Sequence, residues 1–175
     1  MKILFLIRRL HCAGAERQLV VLARGLRGRG HEVAVAVFYP GGPLESELRE
    51  SGVQVYSLDK RGRWDVCGFT WRLIRLIRRE CPVILHGYLC VPNILSGVLS
   101  MIFPAVRVIW GVRSSNMDLS KYDWLHRVLY ILECRLSNVA DLIIANSEAG
   151  LDYAAAHGFP RVRMLVIPNG IDTER

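Results

Sequence analysis

The feature that most constrains this chain is an alternation. Short apolar runs recur along it, each followed by a loop and then a stretch with helical periodicity. Lys2–Ile7, His31–Phe38, Val53–Leu58, Pro82–Leu85, Ala105–Trp110, Asp141–Ala145 and Arg163–Ile167 read as seven strands. Short apolar strands of this kind suit a sheet covered on both faces. Helices are expected over about 15–28, Leu44–Ser51, Asp65–Arg79, about Asn93–Met101, Lys121–Ser137 and Ser147–His157. Strands alternating with helices build parallel βαβ units. The expected fold class is α/β: a doubly wound, mostly parallel Rossmann-like sheet of about seven strands, layered α/β/α.

The helical stretches carry their own patterns. Leu19, Leu22, Ala23 and Leu26 repeat at helical spacing, and Gly28 and Gly30 end that helix. In 65–79, Phe69, Leu73, Leu76 and Ile77 share an apolar side, while Arg72, Arg75 and Arg79 share a basic one. In 121–137, Trp124, Val128, Ile131 and Leu132 lie on one side, with Leu125, Leu129 and Leu136 beside them.

With 175 residues, 51% of them hydrophobic, the chain is long enough for one domain with a proper core. Its net charge is +7, and the excess is concentrated. Residues 60–80 hold Lys60, Arg61, Arg63, Arg72, Arg75, Arg78 and Arg79 against Asp65 and Glu80. That points to an anionic partner. The segment is read either as a core-facing helix with a solvated back or as a contact with anionic lipid. No nucleic-acid-binding motif accompanies the charge, so nucleic acid is not the expected partner.

The five cysteines, Cys12, Cys67, Cys81, Cys90 and Cys134, form no CxxC pair. They are expected to be reduced, largely buried thiols of a cytosolic protein. The first apolar run is too short for a secretory signal and leads into arginines. Residues 83–103 are nearly uncharged, but His86, Gly87, Pro92, Asn93 and Gly97 interrupt them. Strand, loop and helix fit that stretch better than a membrane span.

On a doubly wound sheet, ligands gather beyond the carboxyl ends of the strands. The first such loop, Arg8 to Arg17, has neither GxGxxG nor a Walker lysine. The second strand ends in Phe38-Tyr39-Pro40, without the acid that would hold a nicotinamide ribose. Ala13-Gly14-Ala15 still allows a backbone to approach an anion in front of a helix N-terminus; the alternative is a simple tight turn. His86-Gly87-Tyr88 is expected in the loop after the fourth strand, where His86 is structural, a ligand for a sugar hydroxyl or phosphate, or a proton-transfer group. Arg113, after the fifth strand, suits phosphate or carboxylate, or a surface ion pair. Ser147, in Asn146-Ser147-Glu148, reads as a helix cap, at a helix end that could also face a ligand. No Ser-His-Asp group, carboxylate pair or metal-ligand cluster stands out. The set suits binding polar, anionic ligands and stabilising a leaving phosphate. At the other end, Pro168 closes the last strand, Asn169-Gly170 makes a turn, and Asp172 or Thr173 is placed to cap a helix. The chain thus reads as the first half of something larger.

Four pieces, in order, carry a resemblance: Gly14-Ala15-Glu16-Arg17, Gly30-His31-Glu32-Val33, Ala145-Asn146-Ser147-Glu148, and Val166-Ile167-Pro168-Asn169-Gly170-Ile171-Asp172. From about Lys2 to Arg175 the chain resembles the N-terminal domain of a glycosyltransferase family 4 enzyme of the GT-B fold. The resemblance implies an acceptor-side Rossmann-like domain over 1–167, a linker beginning at 168–175, and a donor domain with an EX7E-type motif beyond Arg175. It implies sugar transfer with retention of configuration, from a nucleotide-sugar donor to a saccharide or lipid-linked acceptor, without metal or other cofactor. Gly14 and Ala15 would face the donor phosphates, and Glu16 and Arg17 would bond within the cleft or to the sugar. His86 and Arg113 are the candidate catalytic residues. Tyr88, Asn146, Ser147, Glu148 and Asn169 would line the acceptor side or the cleft. The chain departs from the family's usual pattern at Ala13-Gly14, commonly Gly-Gly, at Tyr88, where many members have a second histidine, and at Arg113, often histidine. The implied setting is cytoplasmic, with peripheral membrane contact through Lys60, Arg61, Arg63, Arg72, Arg75 and Arg79. The competing reading is a stand-alone nucleotide- or sugar-phosphate-binding module without catalysis.

Overall fold

The computed structural model describes residues 1–62, 64–113 and 123–170. Arg63, Lys121, Ile171, Asp172, Thr173 and Arg175, named above, lie outside them. The strands are β1 (Lys2–Ile7), β2 (Glu32–Val37), β3 (Gln54–Ser57), β4 (Ile84–Tyr88), β5 (Arg107–Val112), β6 (Leu142–Ala145) and β7 (Met164–Val166). The helices are α1 (Gly14–Gly28), α2 (Leu44–Glu50), α3 (Val66–Glu80), α4 (Cys90–Ser100), α5 (Trp124–Leu136) and α6 (Glu148–Ala156). All seven strands form one parallel sheet in the order β3-β2-β1-β4-β5-β6-β7, the doubly wound α/β/α fold read from the sequence. The chain divides into two compact units, Met1–Leu85 and His86–Arg175.

In the first unit, β1 pairs residue for residue with β2, Lys2 opposite Glu32 through Ile7 opposite Val37. Phe5, Leu6, Ile7, Val35, Ala36 and Val37 are wholly buried, as strands covered on both faces require. Leu19, Val20 and Ala23 are the buried side of α1, and Gly30, at φ +82, takes the left-handed turn after it. α3 buries Phe69, Leu73, Leu76 and Ile77, the side read as apolar. The ring of Phe69 meets that of Phe38 edge-on at 4.7 Å. Glu80 is buried because it is answered twice, by Lys2 Nζ at 3.0 Å and Arg79 Nε at 2.9 Å.

In the second unit, Val108, Trp110, Ala140, Ile143, Ala154 and Phe159 form the core, with the rings of Trp110 and Phe159 edge to face at 6.4 Å. Gly97 lets α4 approach: a Cβ there would lie 2.8 Å from Val139 and 2.9 Å from Trp110. Asp141 fixes β5 against β6, accepting the Val108 N–H at 2.8 Å and bonding Arg107 at 2.8 Å.

Three expectations change. β4 runs on through His86, Gly87 and Tyr88, so these residues lie inside the strand and not in a loop after it. The cysteines are not buried: Cys12, Cys67 and Cys81 are exposed and Cys90 and Cys134 half-buried, all five as free thiols. In α5, the side bearing Trp124, Val128, Ile131 and Leu132 faces solvent at 73, 50, 50 and 40% exposure. The inward side carries Tyr130 and Glu133 instead. Buried hydrogen bonding to Glu133, described below, decides the orientation of that helix.

Candidate functional site

In the second unit, the ends of β4 and β5 bring four of the sequence-predicted residues together. The Arg113 guanidinium donates from Nη2 to the Tyr88 hydroxyl and, at 3.0 Å, from Nη1 to Asn169 Oδ1. Its central carbon lies 4.6 Å from the centre of the Tyr88 ring. His86 lies two residues before Tyr88 on the same face of β4, the rings 5.3 Å apart. His86 is only 3% exposed. Burial, and secondly the charge of Arg113, lower its pKa from 6.5 to about 3. The imidazole is therefore neutral at physiological pH, and the positive charge of the group belongs to Arg113. Burial likewise raises the Tyr88 phenol, against the pull of Arg113. A neutral ring and a fixed guanidinium can orient hydroxyls and balance a phosphate or carboxylate.

A second layer holds this group in place, and sequence reasoning missed it. A Cβ on Gly87 would lie 2.7 Å from Asn93 Oδ1 and 2.8 Å from its Cα, so only glycine lets α4 start there. A Cβ on Gly111 would meet the Tyr88 ring at 3.3 Å. Asn93 Nδ2 donates to Glu133 Oε1 at 2.7 Å and to the Gly111 carbonyl at 3.3 Å. Burial raises the Glu133 pKa, opposed by the bonds from Asn93 and Cys90. Leu89, directly after Tyr88, has φ +74 and ψ 167, a region nearly reserved for glycine. Its N–H bonds the Gly111 carbonyl at 3.2 Å, and its own carbonyl accepts the Asn93 N–H at 3.0 Å. The separation of Asn93 and Glu133 by 40 positions hides the pair from any local pattern.

In the same unit, Ser147 caps α6 as predicted, its Oγ accepting the Gly150 N–H at 3.1 Å. Glu148 opens that helix, where a carboxylate suits the dipole. The buried Oδ1 of Asn146 has no hydrogen-bond partner among the described residues.

In the first unit, α1 begins at Gly14 behind Ala13, whose side chain supplies no cap. Ala13 thus offers the first-turn N–H groups no side-chain acceptor, and only its carbonyl takes the Arg17 N–H, at 3.0 Å. A Cβ on Gly14 would touch nothing within 4 Å, so protein packing does not demand glycine here. Ala15 and Glu16 follow in the first turn. Arg17 turns to α2, its Nη1 bonding Glu47 Oε2 at 2.9 Å, while Arg24 bonds the other oxygen of Glu47 at 2.9 Å.

Solved structures share the fold, among them the following three. The complex of Anabaena Alr3699/HepE with UDP-glucose matches with TM-score 0.82 and 20% identity, covering 98% of this chain and 44% of that one. The lipopolysaccharide outer core galactosyltransferase WaaB, in apo form, matches with TM-score 0.73 and 12% identity, over 99% and 47% of the two chains. UDP-GlcNAc 2-epimerase from Neisseria meningitidis, bound to UDP-GlcNAc, matches with TM-score 0.69 and 12% identity, over 97% and 47%. The chain spans less than half the length of these proteins. No curated protein matches it by sequence. The profile of Glycosyltransferase Family 4 matches residues 13–175, nearly the whole chain, and the protein belongs to that family.

Proposed function

We propose that this chain is the acceptor-side, N-terminal half of a retaining glycosyltransferase that moves a sugar from a nucleotide-sugar to a saccharide or lipid-linked acceptor. Residues 1–167 form the domain, and 168–175 begin the linker to a donor domain. The observation that carries the reading is Arg113, held between Tyr88 and Asn169 beside a neutral His86. Arg113 supplies fixed positive charge, and His86 orients an acceptor hydroxyl without a charge of its own. Asn146, Ser147 and Glu148 extend the acceptor side. Gly14 and Ala15, at the start of α1 where Ala13 provides no side-chain cap, take the donor phosphates, which agrees with a reaction needing no metal. Glu16 completes that turn, and Arg17 holds α2 through Glu47. The family match and the nucleotide-sugar complexes among the structural relatives support this reading. Among the described residues no helix is long and apolar enough to cross a membrane. A lipid-linked acceptor would be met at the cytoplasmic membrane surface through the basic residues Lys60, Arg61, Arg72, Arg75 and Arg79, with Arg63 outside the described set.

The test is sugar transfer by the full-length protein, with its donor half, in excess chelator. The product's anomeric configuration is followed by NMR. Retention, undiminished by chelation, is expected; inversion or loss of activity would contradict the proposal. The 175 residues alone are expected to transfer nothing, because the donor grip is missing.

A further inference from the structure

The first unit has a concavity lined by no residue of α1. A cleft of about 370 Å³ lies between β3 and α3. β3 is the last strand of the sheet on its side. Leu58 and Leu76, both buried, form the apolar part of the wall. The charged part is three arginines, each set by a different contact. Arg72 is fixed by the Leu58 carbonyl at 2.7 Å and by Asp65. Arg79 lies 4.7 Å over the Tyr56 ring and bonds Glu80. Arg75 lies 5.5 Å over the Trp71 ring and, among the described residues, has no carboxylate partner.

The charges do not cancel. Asp65 answers Arg72, and Glu80 is shared between Lys2 and Arg79. Lys2 also reaches Glu32 at 3.8 Å, so Arg75 is the cation left over. No carboxylate is among the residues that line the cleft. Stacking on an aromatic ring holds a guanidinium in place without using its N–H donors, so Arg75 and Arg79 keep hydrogen bonds to give.

Around these cations the surface is aromatic. Trp71 is 59% exposed, and Trp64 and Val66, at the start of the same helix, are also exposed. A soluble anion has no use for bare indoles. The headgroup layer of a bilayer takes both, indole beside the glycerol and arginine on the phosphate. The apolar side of α3 is already spent in the core on Phe69, Leu73 and Ile77, so the helix cannot bury it in lipid. Any contact through α3 is therefore shallow and electrostatic.

We propose that the cleft between β3 and α3 seats the phosphate of an anionic phospholipid, with Arg75 and Arg79 on the phosphate and Trp71 at headgroup level. This deepens the membrane contact proposed above and is independent of the sugar chemistry, because lipid binding is read without donor or acceptor.

The test is flotation of the full chain with phosphatidylcholine vesicles, with and without phosphatidylglycerol. The protein should float only with the anionic vesicles and be released as salt shortens the screening length. Arg75→Ala should weaken partitioning about five-fold at low salt. Trp71→Ala should weaken it too, and Arg75→Lys should recover part of the loss. Arg29→Ala, removing an exposed charge at the end of α1, should change nothing. The inference is overturned if flotation ignores phosphatidylglycerol, or if Arg75→Ala behaves as Arg29→Ala. It is also overturned if glycerol 1-phosphate binds the cleft without vesicles and displaces the protein from them, which would assign the site to a soluble ester. Each such failure leaves the sugar-transfer reading standing, and loss of sugar transfer leaves the flotation result standing.

Discussion

Arg113 both caps the Tyr88 hydroxyl and lies 4.6 Å over the centre of the Tyr88 ring, so one cation locks the ends of β4 and β5 together. Tyr88→Phe removes the hydroxyl and keeps the ring. It should cost about 1 kcal/mol in urea unfolding, the usual value of one hydrogen bond. In the active full-length protein it should also lower turnover, because Arg113 loses one of its two anchors. Unchanged stability and turnover would mean that the hydroxyl bond does not position Arg113.

His86 makes stability depend on acid. Its folded pKa, about 3, lies below the ordinary 6.5, so the unfolded chain takes up a proton first as pH falls. The stability due to neutral His86 is present above pH 6.5 and drains away toward pH 3. Between pH 6.5 and 4.5 the wild type should lose about 2–3 kcal/mol more than His86→Gln. Urea unfolding of both proteins at the two pH values measures the difference.

Glu133 has the opposite sign. Burial raises its folded pKa above 4.5, so the folded protein holds the proton longer than the unfolded chain. Its contribution is present below pH 4.5 and is lost as pH rises through the folded pKa. Glu133→Gln keeps an oxygen for the Asn93 amide and cannot ionise. It should match wild type near pH 4.5 and become the more stable protein as pH rises toward 8. Thermal melts across that range should show the gap widening upward; a gap that widens downward would refute the burial argument.

Gly87 and Gly14 should respond differently to the same change. Gly87→Ala would put a methyl group 2.8 Å from the Asn93 Cα, a backbone atom that cannot swing away. A loss of about 1–3 kcal/mol is expected. Gly14→Ala has open space and no positive φ, so stability should stay within about 0.5 kcal/mol. Nucleotide binding by the full-length protein should nevertheless weaken with Gly14→Ala if the donor phosphates approach there as proposed. Chemical unfolding and a nucleotide titration of the same variants separate the two effects.

Much of this was legible in the sequence. β1 and β2 declared themselves because covered strands need continuous apolar runs, and Ser147 declared its cap by standing just before a helix. The end of β4 was hidden, because His86, Gly87 and Tyr88 look like a polar loop until Arg113 arrives from β5. The orientation of α5 was hidden for a similar reason. Its periodicity marks a side with Trp124, Val128 and Ile131, but a buried amide bond turns Glu133 inward, and that bond comes from a distant helix. The cysteines misled because apolar neighbours in sequence are not apolar neighbours in space: Cys67 and Cys81 sit on exposed turns of α3 and its end.

The central claim is tested most directly by offering the full-length protein a panel of nucleotide-sugars with an acceptor extract and measuring nucleoside diphosphate release, for wild type and Arg113→Ala. The account predicts acceptor-dependent release from at least one donor, falling on the order of a hundredfold in Arg113→Ala while the fold is retained. Release from none of the donors, or equal release by the two proteins, would contradict it.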